Sequence, residues 1–161
     1  MPLKQSDFDN DIMSLALEEA KIAGNKGEVP VGCVIINRAN KEIIAKSHNL
    51  MQQNKNANLH AEILAINAAC KKLDNKNLLN CDIYVTLEPC TMCASAISNA
   101  RLGRLYYGAQ DTKQGGVENG VRFFASNSCL HKPEIYSGIQ NRQSEEIMKN
   151  FFGQLRKNKL W

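Results

Sequence analysis

Two short segments set the strongest constraint on how this chain can fold. His60-Ala61-Glu62 and Pro89-Cys90-Thr91-Met92-Cys93 each open a stretch of helical character. Helix starts carry free N–H groups and partial positive charge, which favours a thiolate over a thiol. Cys90 and Cys93 are three residues apart, so their sulfurs share one helix face. With His60 they supply three metal ligands from only two segments, and a fold that uses them must bring two helix N-termini together. A structural zinc site normally has four protein ligands, whereas a catalytic one has three and keeps a position open for water. Glu62 is not counted as a ligand, because residues two apart on a regular helix point away from each other. Both it and His60 can face one site only if His60 lies at the very start of its helix. A structural site completed by Cys129 or His131 is one alternative, and a redox C-x-x-C is another. The chain lacks the compact strand-then-C-x-x-C start of the redox case.

Around these segments helices and strands alternate. Residues 7–23 predict a helix capped by Ser6, with Asp9 three residues on as a loose capping box. Phe8, Ile12, Leu15, Ala16 and Ile22 follow helical apolar spacing, and Gly24 and Gly27 provide the stop. Residues 31–37 and 42–47 predict the strands of a hairpin across a turn at 38–41. Residues 60–73 predict a helix whose closing lysines suit the negative end of its dipole. A strand follows at 82–87, Pro89 starts the next helix, and 104–108 form another strand. Tyr106 and Tyr107 read as strand neighbours, one facing in and one out. Residues 112–131 predict a loop with one short helix. A last helix spans 144–159, capped by Ser144, with Ile147, Met148, Phe151, Phe152 and Leu155 on its apolar face. Helices then cover both faces of one mixed sheet, a three-layer α/β/α arrangement. No linker or repeat divides the 161 residues, so a single domain is expected.

Composition excludes little and agrees with this outline. Apolar residues make up 43% and charged residues 22%, as in ordinary globular proteins. No apolar run approaches the roughly 20 residues of a membrane span, and the first ten residues lack the apolar core of a leader. The cytoplasm is the expected location, with no membrane partner. The net charge of +4 permits a nucleic-acid partner without demanding one. Without export, the six cysteines are expected as thiols. Cys33, Cys70 and Cys81 are expected in the core, and His48 and His131 in structural roles.

H-x-E followed by P-C-x-x-C is a known signature of zinc-dependent base deaminases. Over roughly residues 8–157 the chain resembles the tRNA adenosine deaminase family. Glu28-Val29-Pro30-Val31-Gly32 is similar to the family's segment before the first strand. Asn49 stands where the family has a substrate-contacting Asn. Val85-Thr86-Leu87-Glu88-Pro89-Cys90 matches its strand-to-zinc run, and Gly108-Ala109-Gln110-Asp111 resembles its GARD-like stretch. The resemblance implies a cytidine-deaminase-like α/β/α fold with a mixed sheet of about five strands. It implies one zinc ion per subunit on His60, Cys90 and Cys93, with Glu62 as proton shuttle. The reaction implied is hydrolytic deamination of adenosine to inosine at the wobble position of a tRNA anticodon stem-loop. Asn49 would bond the flipped base, backbone near Val31 and Glu88 would shape the pocket, and Asp111 would touch a ribose. A homodimer is implied as well.

Lys149, Arg156, Lys157 and Lys159 are expected to grip RNA phosphates. The chain departs from the family at Asn56-Ala57-Asn58-Leu59, where a proline is often found and whose loss is expected to loosen the approach to His60. It departs again at Gln110 and Gly153, where Arg is common. Two other functions stand beside this one. A free guanine or cytosine deaminase would share the fold, but it needs no basic tail. A non-catalytic zinc-stabilised RNA-binding module would have no use for Glu62.

Overall fold

The structure, a computed structural model, describes residues 6–159; the first five residues, part of the stretch read as lacking a leader, lie outside them. The elements run α1 (Asp7–Asn25), β1 (Gly32–Asn37), β2 (Ile43–His48), α2 (Ala61–Leu73), β3 (Cys81–Leu87), α3 (Thr91–Asn99), β4 (Arg104–Ala109), β5 (Glu134–Ser137) and α4 (Asn141–Lys157). A 3-10 turn at Phe123–Ala125 interrupts the long connection before β5. The strand order is β2-β1-β3-β4-β5. β1 is antiparallel to β2 and β3, while β3, β4 and β5 are mutually parallel. The sheet is mixed because its first two strands close a hairpin, whereas β3 and β4 are joined by the helical crossover that parallel strands need.

The central strands are buried on both faces, so each face has its own core. Cys33, Ile35, Ile83, Val85, Leu105 and Tyr107 pack with Ala61, Ala65 and Ala69 of α2 and Ala94 and Ile97 of α3. Val34, Ile36, Tyr84 and Tyr106 pack with Ile12, Met13, Ala16 and Leu17 of α1 and Ile147 of α4. Three layers result, as expected. Tyr106 and Tyr107 do point to opposite faces, but neither faces solvent: a helical layer covers each side. Tyr84, Tyr106 and Tyr136 stand in register across β3, β4 and β5 and stack, with ring centroids 4.3 and 4.9 Å apart.

Several boundaries differ from the sequence expectation. Ser6 caps α1 by accepting the Asp9 N–H at 3.0 Å, but the helix runs on to Asn25 and leaves Ile22 exposed. Residue pattern alone predicts no strand at 134–137, where β5 lies. β5 has only four residues and sits at the sheet edge, so it lacks the long apolar run that marks a central strand. Helix α4 starts at Asn141, with Gln140 as its left-handed N-cap. Ser144 is therefore not a cap. It is a buried first-turn residue lying against Gly108, where a Cβ would meet its Oγ at 2.3 Å. Pro89 also precedes its helix rather than opening it, since Cys90 is the N-cap. Cys33 and Cys81 are buried as expected, while Cys70 is half-exposed.

Helix α1 crosses β1 at close range, and Gly32 makes this possible. A Cβ there would lie 1.8 Å from the Ala16 carbonyl oxygen and 2.7 Å from the Ala20 nitrogen, both main-chain atoms. Gly32→Ala is expected to cost about 3 kcal/mol by overpacking, seen as a lower urea midpoint. An unchanged midpoint would show that α1 does not sit this close to the sheet.

Candidate metal centre and its surroundings

Strand register brings the candidate residues to one end of the sheet. Gly32 pairs with His48, Cys33 with Val85 and Leu87 with Ala109. The segments just beyond these pairs therefore leave the sheet together. They contain Val31, Asn49, Glu88 and Asp111, and they lead into α2 and α3.

His60 is the N-cap of α2 and Cys90 the N-cap of α3. The structure thus brings two helix starts together, as the ligand spacing requires. His60 Nδ1 lies 3.6 Å from Cys90 Sγ and 3.5 Å from Cys93 Sγ. The three ligand atoms lie within 4.8 Å of one another, and among the described residues no other cluster of this kind occurs. Cys129 and His131, the alternative fourth ligands, are engaged elsewhere. The Cys129 thiol donates to the His131 carbonyl at 3.1 Å, and His131 Nε2 lies 2.8 Å from the Leu102 carbonyl.

The ligand protons are unevenly held. A hydrogen bond from the Cys93 thiol, aided by His60, pulls Cys90 down to about 4 against the effect of burial. The same bond and burial push Cys93 up. Helix starts alone would favour both thiolates; the closeness of the two sulfurs lets the first ionise at the expense of the second. The bond to Cys90 raises His60 in turn, although burial lowers it. A divalent metal displaces these protons and takes both sulfurs as thiolates.

Because His60 is a cap with extended backbone, Glu62 sits inside the first turn and escapes the i, i+2 divergence of a regular helix. Its side chain is buried, and burial pushes its carboxyl up to about 6, against its own backbone N–H and His60. Asn49 fixes this helix start. Its Oδ1 accepts the Ala61 N–H at 2.8 Å, and its Nδ2 donates to the Val29 carbonyl at 3.0 Å. The Val31 carbonyl accepts the Asn49 N–H at 3.3 Å. The approach to His60 is held without the family's proline. Asn56 Oδ1 accepts the Asn58 N–H at 3.0 Å, and the His60 N–H donates to the Asn58 carbonyl at 2.9 Å. The expected loosening is thus opposed by a hydrogen-bonded turn.

On the other side, the Glu88 side chain does something that sequence reasoning missed. It is buried and accepts the N–H groups of Asp111, Val117, Glu118 and Asn119, together with Asn119 Nδ2. Burial would raise this carboxyl, but the donors outweigh it and hold it below its ordinary value. Asp111 Oδ1 in turn accepts the N–H groups of Lys113 and Gln114, both at 3.0 Å. Gln110 Nε2 donates to Glu118 at 3.2 Å, so its amide serves this loop. The Glu118 carboxylate also accepts the Tyr107 hydroxyl.

The remaining candidates lie on α4. Lys149, Arg156, Lys157 and Lys159 are exposed, while Phe151 and Phe152 are half-buried and meet edge to face. Helix α4 packs chiefly on β4, α1 and β3, and its Met148 reaches the core on the face that α2 and α3 cover. His48 is taken up by Glu19, at 2.7 Å.

Asn49→Ala is expected to lower stability by about 1–3 kcal/mol with no substrate present, because it strands the buried Ala61 N–H. Equal denaturation midpoints for the variant and the parent would remove Asn49 as the anchor of this helix start.

Known proteins place this geometry in a family. The model of the MafB19-like deaminases matches residues 8–156. The tRNA-specific adenosine deaminase of Rickettsia typhi is 56% identical over 144 residues, covering 89% of this chain and 97% of the relative. That of Bacillus subtilis is 39% identical, covering 94% and 92%. A solved structure from a study of A-to-I editing by tRNA:A34 deaminases superposes with a TM-score of 0.82 at 50% identity, over 85% of this chain and 98% of that one. The guanine deaminase of Nitrosomonas europaea, at 18% identity and a TM-score of 0.79, covering 89% of this chain and 84% of that one, shares the fold. With the metal-ligand cluster in place and these matches spanning almost its whole length, the chain belongs to the tRNA-specific adenosine deaminases and to the MafB19-like deaminase family.

Proposed function

We propose that this protein is a zinc-dependent hydrolase that converts adenosine to inosine at the wobble position of a tRNA anticodon stem-loop. The observation that carries it is the three-ligand cluster set beside the buried carboxyl of Glu62. The relatives' substrate supplies the rest. Zinc suits the donor set. Bonds of about 2.3 Å to sulfur and 2.0–2.1 Å to nitrogen, at a tetrahedral angle, place those atoms roughly 3.5 Å apart. The separations here are 3.5 and 3.6 Å. Three protein ligands leave a fourth position for water.

His60, Cys90 and Cys93 would hold one zinc ion per subunit. When bound, it supplies the Lewis acidity that makes hydroxide available near neutral pH. Glu62 takes the water proton on its carboxylate and hands it to a ring nitrogen. It then delivers a proton to the departing amino group, so that water is consumed and ammonia released. A carboxyl near 6 is matched to both halves of this exchange. Asn49, main chain near Val31 and Glu88, and Asp111 form the base and ribose contacts. Lys149, Arg156, Lys157 and Lys159 contact the RNA backbone. The chain works as one domain, as a homodimer in the cytoplasm. No helix among the described residues is long and apolar enough to cross a membrane.

A synthetic anticodon stem-loop with adenosine at the wobble position tests the substrate, with free adenine, guanine, cytosine and cytidine in parallel. Inosine is expected in the stem-loop alone. Ammonia from a free base, with the stem-loop untouched, would assign the site to nucleobase salvage. Glu62→Ala should retain one equivalent of zinc and lose activity by about 100-fold or more; near-normal turnover would eliminate Glu62 as the proton carrier.

Phosphate contacts release counterions, so stem-loop affinity should fall steeply with salt. Lys157→Ala combined with Arg156→Ala should reduce the slope of log affinity against log salt by about 1.4, two contacts at roughly 0.7 each on a single strand. A slope equal to the parent's would place the RNA backbone elsewhere.

A further inference from the structure

We propose that Glu88 is a positioning residue for the metal centre: its buried carboxylate seats the Asp111–Asn119 loop on the turn that carries Cys90. The inference rests on the zinc reading above but not on the identity of the substrate.

Cys90 opens α3 without a side-chain cap bond, so its main chain is not fixed by its own cap. The loop fixes it from outside. The Gly116 N–H donates to the Pro89 carbonyl at 2.8 Å, and Gly115 pairs with Cys90 in an isolated β-bridge. Two glycines permit this approach. A Cβ on Gly116 would lie 2.6 Å from the Thr91 nitrogen and 2.9 Å from the Cys90 carbonyl carbon. A Cβ on Gly115 would lie 2.5 Å from Glu88 Oε2. The loop is thus pressed between the cysteine turn on one side and the Glu88 carboxylate on the other.

Every group that meets this carboxylate is a donor. Oε1 accepts the N–H groups of Val117, Glu118 and Asn119 at 3.2, 2.7 and 2.9 Å. Oε2 accepts the Asp111 N–H at 2.9 Å and Asn119 Nδ2 at 2.7 Å. Only a group with two acceptor oxygens and no donor satisfies this set. A glutamine turned either way sets its own NH2 against at least two donors. An aspartate retracts both oxygens by a methylene. Releasing the loop frees the Pro89–Cys90 main chain from Gly115 and Gly116, and it moves Asp111, whose N–H ends on the other oxygen of the same carboxylate. Glu88 therefore acts on the metal through the loop and without touching it.

The test follows zinc transfer from the loaded protein to a chromogenic chelator, beside single-turnover deamination of the stem-loop. Glu88→Gln is expected to speed zinc release by roughly tenfold or more and to lower single-turnover rate by a similar factor, the usual scale for groups that orient a ligand. Asn119→Ala removes one of the five donors and should show a smaller shift in the same direction. Gly116→Ala leaves Glu88 untouched, lifts the loop from Thr91 and should also speed release. If Glu88→Gln does not fold, Asn119→Ala and Gly116→Ala carry the test. Zinc release within twofold of the parent in every variant that folds overturns the proposal, whatever the activity. A parent inactive on the stem-loop would remove the tRNA reading and leave the chelator result to decide this one.

Discussion

The antiparallel pairing of β1 with β3 decides where a site can form. It places the start of β1 beside the end of β3, while the hairpin returns the end of β2 to the same edge. The parallel step from β3 to β4 adds the end of β4. Four chain exits then share one end of the sheet, and the two that lead into helices do so through His60 and Cys90. Both candidate ligands are N-caps, where side chains escape regular helical spacing and main-chain N–H groups have no partner within the helix. A slip of one residue between β1 and β3 would exchange the faces of every β1 side chain. It would also move the Val31–Gly32 segment relative to Glu88. That slip would misfit the two cores, because Cys33 and Ile35 pack on one face and Val34 and Ile36 on the other.

Of the three buried glutamates among the described residues, Glu88 and Glu62 flank this edge and are treated in opposite ways. Glu88 is met by five donors, and they outweigh the cost of burying a charge. Its carboxyl stays low and its role is to hold a loop. Glu62 is equally buried but lacks such a set, so its carboxyl rises to about 6. The difference is one of donor count rather than residue type. A carboxylate saturated with N–H groups is a poor proton carrier, because protonation would oppose its donors. One that is buried and under-supplied exchanges a proton near neutral pH. Asn49 ties two segments at the same edge: its Oδ1 anchors α2 through the Ala61 N–H, and its Nδ2 holds the Val29 carbonyl ahead of β1.

The sequence made the centre legible because its spacing is local. Cys90 and Cys93 meet through one helical turn, and the two helix starts were marked by composition. β1 is equally readable, as a short β-branched run. What failed was decided by distant partners. β5 exists because Tyr136 and Ile135 pair with β4, and four residues carry no periodicity of their own. Ser144 looked like a cap from its type, but packing against Gly108 draws it inside the helix. The side-chain role of Glu88 is not legible, since nothing nearby in sequence announces five donors more than twenty residues away. The closest signal was the Gly115-Gly116 pair, a place where main chain can approach main chain closely.

The 110–119 segment lies beside the candidate site and is shaped by its own bonds rather than by the sheet. The guanine deaminase fold match shows that the sheet and its helices do not by themselves choose a base or an RNA. In this chain the segment is tied at both ends of its turn: Glu88 gathers its main chain, and Tyr107 and Gln110 both engage Glu118. Gln110 therefore contributes to the shape of the loop, whereas an arginine there would carry a charge outward or pair with Glu118 as an ion. Substitutions at Gln110 and Glu118 should alter substrate preference while the ligand cluster stays intact, because neither residue contacts His60, Cys90 or Cys93 through any of these bonds. Through its carboxylate, Glu88 thus ties the chain that runs into Cys90 to the segment that holds Gln110 and Glu118.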